Sequence, residues 1–269
     1  MTDIMATPPS LEVLPNEPHC DAIVVEHLTK QFTIRHRGSV KRALLGAMRP
    51  KPLEQFTALK DISFRVPHGQ TVAVIGRNGS GKSTLLGILA RVYRPTAGAI
   101  HLANPQGGPA RIAPLLELGA GFHPDLTGQE NIEFYGAVLG LSARQINEKF
   151  EQIVEFAELG EKIDTILRTW NEGAKLRLGF SIAVHTDPDI LLVDEVLAVG
   201  DEAFQNKCYR LIAELQDKGK TILFVSHDLA VVERVASRIL WINNGIIQMD
   251  GDVPGVLAAY REASARGLR

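Results

Sequence analysis

Short runs of apolar residues alternate along the chain with longer segments whose apolar positions recur every three or four residues. The runs "TVAVIG" (71–76), "DILLVDE" (189–195) and "KTILFVSHD" (220–228) are bounded by turn residues, which is typical of buried parallel strands. The segment "SARQINEKFEQIVEFAEL" (142–159) has helical periodicity. This alternation predicts an α/β protein with a parallel sheet.

Two further patterns add antiparallel strands and a helical insertion to this core. The β-branched residues of 22–34 predict a strand, and "RILWINNGIIQMDG" (238–251) predicts a hairpin that turns at Asn244-Gly245. From residue 127 to about residue 180 the pattern is mostly helical, and Thr127-x-x-Glu130 has the form of a capping box at its start.

Composition narrows the class of protein without indicating a function. Apolar residues make up 45% of the 269 residues and charged residues 22%, as in an ordinary globular protein. The formal net charge of -2 gives no general attraction to nucleic acid, which is therefore not an expected partner. Cys20 and Cys208 are the only cysteines, so no disulfide framework is indicated.

The N-terminus and the length of the apolar runs bear on location. Residues 1–21 contain prolines and acids, have no basic start and no continuous apolar stretch, and are expected to form a flexible tail rather than a secretory signal. No run approaches the roughly 20 apolar residues of a membrane-spanning helix. We therefore expect a cytoplasmic protein that would need a partner to hold it at a membrane.

The segment "GRNGSGKST" (76–84) matches the pattern G-x-x-x-x-G-K-[ST] and lies between a predicted strand and a predicted helix. Glycines let backbone N–H groups close around phosphates, and the helix N-terminus adds partial positive charge. Lys82 is expected to reach the β- and γ-phosphates of a nucleotide, and Ser83 to ligate Mg²⁺. The residues expected to bind nucleotide here are Gly76, Arg77, Asn78, Gly79, Ser80, Gly81, Lys82, Ser83 and Thr84.

Polar residues at the ends of two other predicted strands complete the expected site. Asp194 ends "DILLVD" and is expected to face the Mg²⁺ shell, and Glu195 is a candidate to polarise the attacking water. His227, in "LFVSHD", lies where it could contact a γ-phosphate, although a lone histidine at a strand end is more often structural. The phosphate loop and the acidic pair favour the functional interpretation.

With these motifs in this order, the sequence resembles the nucleotide-binding subunits of ATP-binding cassette (ABC) transporters over residues 22–260. The match includes a signature loop within "TWNEGAKLRLGF" (169–180), the D-loop "AVGD" that ends at Asp201, and His227 as the switch histidine. Within that superfamily, "LLELGAGFHPDLTGQENIEFYG" (115–136) and "DEVLAVGDEAFQNKC" (194–208) are similar to exporters of cell-surface polysaccharides. Those exporters move O-antigens, capsules, teichoic acids or galactans.

The resemblance implies the fold of an ABC ATPase cassette, with a RecA-like parallel-sheet core, an antiparallel β subdomain and an α-helical subdomain. The cassette would span residues 22–260, with the helical subdomain at about 120–180 and a C-terminal tail at 261–269. A basic insertion at 35–52 would carry a short amphipathic helix.

The basic insertion has two open interpretations. It is either a solvated surface helix or a segment near the membrane surface, where anionic headgroups favour each nearby Lys or Arg by about 1 kcal/mol. In the second case, Arg35, Arg37, Lys41 and Arg42 would help to recruit the pyrophosphate end of a lipid-linked glycan.

The resemblance also implies partners and further nucleotide contacts. Two copies of the chain would form a head-to-tail dimer that encloses two ATP molecules, each between the phosphate loop of one copy and the signature loop of the other. Asp201 would lie at the dimer seam, and adenine would stack on Phe32, with His36 as the alternative. A separate dimer of membrane-spanning permease subunits would carry the lipid-linked glycan. The chain would then work peripherally on the cytoplasmic face of the inner membrane.

The sequence departs from the family's pattern at two places. No glutamine matches the Q-loop, and Glu117 lies closest to that position, as a Mg²⁺-shell ligand or a solvated acid. The signature loop reads "WNEGA", in which Asn171 and Gly173 remain candidates for phosphate binding. Glu172 would repel a phosphate, so it is expected to point to solvent or to pair with Lys175 or Arg177.

The expected function is ATP hydrolysis that powers polysaccharide export, with ATP and Mg²⁺ as cofactors. Glu195 would polarise water, His227 would hold the γ-phosphate and Lys82 would steady the departing charge. The alternative is a soluble ABC-type ATPase or an ATP-binding regulator that is not coupled to transport. Neither a coiled-coil insertion nor a second cassette is present in the sequence, and the Glu195–His227 pair argues against a regulator without turnover.

Overall fold

The computed structural model describes residues 21–34, 54–116, 121–194 and 201–266. The predicted basic insertion lies outside these residues, and so do His36, Glu117 and Glu195. What the sequence predicts for them stays a prediction.

A six-stranded sheet forms the centre of the molecule. Its strands are β3 (Thr71–Ile75), β5 (Ile112–Leu115), β6 (Ile190–Asp194), β7 (Thr221–Val225), β8 (Arg238–Asn243) and β9 (Ile246–Gly251). They lie in the order β5-β6-β7-β3-β8-β9, and only the β8–β9 pair at one edge is antiparallel. The predicted parallel core and the hairpin at Asn244-Gly245 are therefore confirmed.

Both faces of the central strands are buried, which explains their continuous apolar sequence. On β3, Ala73 and Ile75 belong to one buried cluster, whereas Val72 and Val74 belong to another. Because successive residues of a strand project to opposite faces, the two clusters lie on the two sides of the sheet. Helices α1 (Lys82–Leu89) and α5 (Glu202–Asp217) each contribute to one of them.

A smaller antiparallel sheet has the strand order β2-β1-β4. Its strands are β1 (Asp21–Ile34), β2 (Glu54–Pro67) and β4 (Ala97–Leu102). The sequence predicts β1 from the run at 22–34 and β2 from the run "ALKDISFRVP" (58–67), but it does not predict β4 or the four-residue β5. β4 is only partly buried and has Gly98 at φ 89°, and β5 contains Pro114, so neither has a strong strand pattern.

The helical subdomain has an apolar core of its own. It consists of α2 (Gly128–Val138), α3 (Ala143–Ala157) and α4 (Glu172–Val184), with 3-10 turns at Gly160–Lys162 and Leu167–Thr169. Ile132, Ile153 and Leu178 are among the buried residues that join the three helices. The predicted capping box is confirmed, since Thr127 accepts from the Glu130 N–H and Glu130 accepts from the Thr127 N–H.

Two further helices follow the last parallel strands. They are α6 (Leu229–Val235) and α7 (Val253–Ala265). The end of α7 differs from the expected boundary, because residues 261–265 are helical rather than a tail. Asp252 caps the start of this helix, whose first turn contains Pro254 and Gly255, and no glycine or proline follows between residues 256 and 265, so the helix continues past residue 260. In the described ranges, no helix is long and apolar enough to cross a membrane.

The turn of the β8–β9 hairpin joins the phosphate loop to the smaller sheet. The Gly245 N–H donates to the Ser80 carbonyl at 2.9 Å, and the Gly245 carbonyl accepts from the Lys60 N–H at 2.8 Å. Gly245 has φ 79°, and a Cβ there would lie 2.6 Å from the Ala58 carbonyl oxygen. The turn therefore requires glycine for two reasons, its left-handed backbone and its close approach to β2.

Gly245→Ala is expected to lower the free energy of unfolding by about 2–3 kcal/mol, because left-handed strain and backbone overlap add together. Gly219→Ala is the matched control, since Gly219 has φ 71° but a Cβ there meets nothing within 4 Å. That control should lose only about 1 kcal/mol. Urea unfolding of both variants measures the difference, and equal losses would contradict the close approach at Gly245.

Candidate functional site

The phosphate loop leaves β3 and enters α1 through three glycines with left-handed backbone. Gly76, Gly79 and Gly81 have φ values of 149°, 79° and 111°. A Cβ at Gly76 would lie 2.1 Å from the Ile242 carbonyl oxygen, and one at Gly81 would lie 2.7 Å from the Ala58 carbonyl oxygen. The loop is therefore closed against β8 and β2, and Gly76 and Gly81 cannot be replaced without moving backbone, whereas a Cβ at Gly79 would meet nothing within 4 Å.

The side chain of Lys82 is buried beneath this loop. Its Nζ donates to the carbonyl oxygens of Gly76 and Arg77, each at 2.9 Å. These bonds hold the ammonium group within the loop that the sequence predicts to bind phosphate. Arg77 itself is exposed, whereas Ser80 is buried on the side of the β8–β9 turn.

A first cleft of about 560 Å³ opens beside the phosphate loop. Seven of the predicted site residues line it: Asn78, Gly79, Gly81, Lys82, Ser83, Thr84 and Asp194. The loop backbone, an ammonium, a hydroxyl and a carboxylate thus meet in one cavity. Such a cavity suits a nucleotide with its phosphates at the N-terminus of α1.

Ser83 and Asp194 are the residues in this cleft that could hold Mg²⁺. Both supply oxygen, the ligand type that Mg²⁺ prefers, and both line the same cavity next to the loop expected to carry the phosphates. The donor set therefore fits the ion.

The sheet order brings the other predicted chemistry to the same edge. β7 lies between β6, which ends at Asp194, and β3, which precedes the phosphate loop. His227 is exposed and follows β7 by two residues. Since β3, β6 and β7 are parallel, their carboxyl ends bring the loop, Asp194 and His227 to one side of the sheet.

Two phenylalanines lie opposite each other near the cleft. Phe32 on β1 and Phe56 on β2 are register partners, so both side chains project to one face of the sheet. Phe32 is half-buried, and its ring lies edge-on to that of Tyr93, with 5.7 Å between the ring centres. The Lys30 Nζ lies 4.8 Å from the centre of the Phe32 ring. Phe56 lines the cleft and is 49% exposed. The ring that faces the cavity is therefore Phe56, which no pattern in the sequence indicates.

A second cleft of about 580 Å³ contains the residues predicted from the signature loop and the D-loop. Asn171, Gly173 and Asp201 line it together, although Asp201 lies about thirty residues further along the chain. The two clefts share no lining residue. The predicted nucleotide contacts of one chain thus fall into two separate groups.

The signature loop begins α4 with a side-chain cap. The Asn171 Oδ1 accepts from the Ala174 N–H at 2.8 Å, which satisfies one of the free donors of the first turn. This bond uses only the oxygen of the side-chain amide. The Nδ2 hydrogens are not consumed by the cap and can donate to an anion in the second cleft.

Glu172 points to solvent and pairs with a lysine, as predicted. Its side chain is 81% exposed, and the Lys175 Nζ lies 2.7 Å from its Oε1. Arg177, the other cation considered, pairs instead with Glu158 and Asp201. The negative charge is therefore partly neutralised within the first turn of α4.

Asp201 caps the start of α5 with one carboxylate oxygen. The hydrogen bond from the Phe204 N–H to Oδ1 is the main cause that lowers the pKa of this carboxyl, and the charge of Arg177 acts in the same direction. Asp201 is thus held as an anion beside the signature loop. No pattern in the sequence predicts its contact with Arg177, which depends on how α4 and α5 pack.

Comparison with known proteins finds a matching family profile and similar relatives. The profile of the ABC transporter family matches residues 59–198. An O-antigen export system ATP-binding protein of Klebsiella pneumoniae is 42% identical over 244 residues, covering 89% of this chain and 97% of that protein. A teichoic acids export ATP-binding protein of Listeria innocua is 38% identical over 240 residues, covering 89% of this chain and 70% of that protein.

Solved structures agree with this assignment at the level of the fold. A dimeric ATP-binding cassette in a post-hydrolysis state, bound to ADP and Pi, has a TM-score of 0.69 and 22% identity. The aligned region covers 86% of this chain and 98% of the chain in that structure. Profile, relatives and fold agree: the chain belongs to the ABC transporter family and has the ATPase cassette of that family, in the group that includes the ATP-binding proteins of O-antigen and teichoic acid export.

Proposed function

We propose that this chain hydrolyses ATP to power the export of a lipid-linked polysaccharide through a separate membrane-spanning partner. The observation that carries the proposal is the first cleft, in which the phosphate loop, Lys82, Ser83 and Asp194 line one cavity. The 42% sequence identity to an O-antigen export protein, over 97% of that protein's length, supports the transport half of the proposal. The partner is a dimer of permease subunits, and the chain works on the cytoplasmic face of the membrane.

The residues of the first cleft act in hydrolysis together with Glu195 and His227. The phosphate-loop N–H groups and Lys82 bind the β- and γ-phosphates, and Ser83 and Asp194 hold Mg²⁺, which when bound neutralises phosphate charge. Glu195 orients the attacking water and His227 contacts the γ-phosphate. The water oxygen bonds to the γ-phosphorus while the bond to the bridging oxygen of ADP breaks. Glu117 is retained as a further candidate for the Mg²⁺ shell.

The second cleft contacts the ATP of another copy of the chain. Asn171 and Gly173 begin α4, whose N-terminus favours an anion, and they lie apart from the phosphate loop of their own chain. Two copies arranged head to tail would bring each second cleft to the partner's first cleft. Asp201, which lines the second cleft, then lies at the seam of the dimer.

The adenine ring stacks on Phe56, with Phe32 beside it. Phe56 lines the cleft that holds the phosphate loop and presents about half of its surface to solvent, whereas Phe32 packs against Tyr93. An aromatic ring that is free on one face can stack on a base, which is worth roughly 1–3 kcal/mol.

Lys82→Ala should reduce kcat for ATP by at least about 100-fold, because it removes a preorganised charge from the γ-phosphate. Cells that contain only this variant should accumulate a lipid-linked glycan on the cytoplasmic side of the membrane. Lys218→Ala, at an exposed lysine after α5, is the control and should behave as wild type. Normal turnover by Lys82→Ala would refute the catalytic assignment, and lost turnover without glycan accumulation would refute the transport assignment.

Phe56→Ala should raise the Kd for ATP about tenfold, as expected for the loss of one stacking contact. Phe134→Ala is the matched control, because Phe134 on α2 is 48% exposed, against 49% for Phe56. Fluorescence titration with an ATP analogue measures both. A larger loss for Phe32→Ala than for Phe56→Ala would assign the stacking role to Phe32.

Asn171→Asp should slow hydrolysis about tenfold or more, since it keeps a capping oxygen but removes the amide donor and adds a negative charge. Asn171→Ser, which keeps both a cap and a donor, should lose less of its kcat, and Asn171→Ala should also be slow.

Glu172→Gly and Glu172→Gln should leave kcat unchanged or raise it, because they remove a charge that repels phosphate. A large loss of kcat in Glu172→Gln would show that the glutamate takes part in hydrolysis.

A further inference from the structure

Four charged side chains meet where the helical subdomain contacts the core. Glu158 follows the last turn of α3, and Arg177 lies on α4. Asp201 caps the start of α5, and Lys207 lies on the same helix about one and a half turns later. Three of them line the second cleft. The cluster therefore connects α3 and α4 of the helical subdomain to α5.

Arg177 bridges two carboxylates that belong to different elements. Its Nη1 lies 3.2 Å from the Glu158 Oε2, and its Nη2 lies 2.5 Å from the Asp201 Oδ2. The guanidinium carbon lies 4.8 Å from the ring centre of Phe204, and the side chain is 18% exposed. Because the guanidinium is planar and rigid, it fixes the separation of the two acids, which a lysine could not do.

Lys207 holds Glu158 from the other side. Its Nζ lies 3.1 Å from the Glu158 Oε1 and also donates to the Phe156 carbonyl at 2.9 Å. Lys207 thus satisfies the Phe156 carbonyl at the C-terminus of α3 while it pairs with Glu158, the residue that follows this helix. Glu158 has φ 57°, a left-handed conformation that is costly for glutamate and persists only where the surroundings enforce it.

The second oxygen of Asp201 completes the chain of contacts. Its Oδ1 is bound by the Phe204 N–H of its own helix, and its Oδ2 is bound by Arg177. The orientation of this carboxylate is therefore set partly by Arg177 on α4, and Arg177 is in turn held by Glu158. Ion pairs with exposed partners contribute little to stability, so the consequence to test is geometry rather than unfolding.

We propose that Glu158 is a positioning residue for ATP hydrolysis, acting through Arg177 on Asp201. Lys207 holds Glu158, Glu158 and Arg177 fix each other, and Arg177 sets the carboxylate of Asp201 relative to the signature loop. The orientation of the helical subdomain is thereby transmitted to the D-loop. This inference rests on the proposed site between two copies, in which Asp201 and the signature loop meet the same partner.

The test compares kcat with nucleotide affinity in the full-length chain. Glu158→Gln should lower kcat about fivefold and leave the Kd for ATP within about twofold, because the first cleft is untouched. Lys207→Gln should have the same effect. Glu148→Gln is the matched control, because Glu148 lies on α3, the helix that Glu158 follows, and is 56% exposed against 53% for Glu158. It pairs with Arg144 on its own helix rather than with the core. It should retain wild-type kcat.

A double-mutant cycle separates positioning from a general loss of packing. Glu158 and Asp201 are joined by Arg177, so Glu158→Gln and Asp201→Asn together should lower kcat no more than the larger single change does. In an Arg177→Lys background, Glu158→Gln should have little further effect. Additive losses, or a kcat for Glu158→Gln equal to that of Glu148→Gln, would overturn the proposal.

The dependence of wild-type turnover on protein concentration distinguishes this inference from the proposed function. If wild-type turnover stays linear with protein concentration down to concentrations at which the chain is monomeric, the site between two copies is wrong. If wild-type turnover falls more steeply than linearly at those concentrations and Glu158→Gln matches wild type in kcat, only the positioning role is wrong. If an Arg177 variant fails to fold, the kcat of Lys207→Gln can be compared with that of wild type instead. This variant leaves Arg177 and both carboxylates in place.

Discussion

Burial of both faces of the central parallel strands determines where this protein can perform chemistry. Residues of β3 pack alternately into clusters on opposite sides of the sheet, and β6 and β7 are similarly enclosed. A strand enclosed in this way cannot carry an unpaired charge along its length. Polar groups are therefore confined to the strand ends, where the phosphate loop, Asp194 and His227 come to one edge.

The parts that the sequence predicts well are those that local physics determines. The phosphate loop follows from glycine spacing, the central strands from short apolar runs, and the start of α2 from Thr127 and Glu130, which bond within one turn. Phe56 was missed because its orientation toward the cleft depends on the pairing of β1 with β2. The contact of Arg177 with Asp201 was missed for a similar reason, since only the packing of α4 against α5 creates it.

The unusual signature loop keeps a helix N-terminus at the second cleft while changing the side chains around it. Asn171 uses its oxygen to cap α4, and its nitrogen stays available for an anion. Glu172 is directed to solvent, and Lys175 neutralises part of its charge. The helix N-terminus, which supplies N–H donors and partial positive charge whatever the residues, is retained. The backbone at the start of α4 can therefore serve an anion in the second cleft even though the loop carries Glu172.

The turn at Gly245 also has a consequence for how the protein is made. Its bonds to Ser80 and Lys60 join segments that are more than half the chain apart. The two sheet neighbours of β3 are β7 and β8, and both are encoded after residue 220. A ribosome therefore synthesises the phosphate loop long before the strands that support it and the hairpin that braces it. The first cleft therefore has all of its supporting backbone only after the β8–β9 hairpin, which ends at Gly251, has been synthesised.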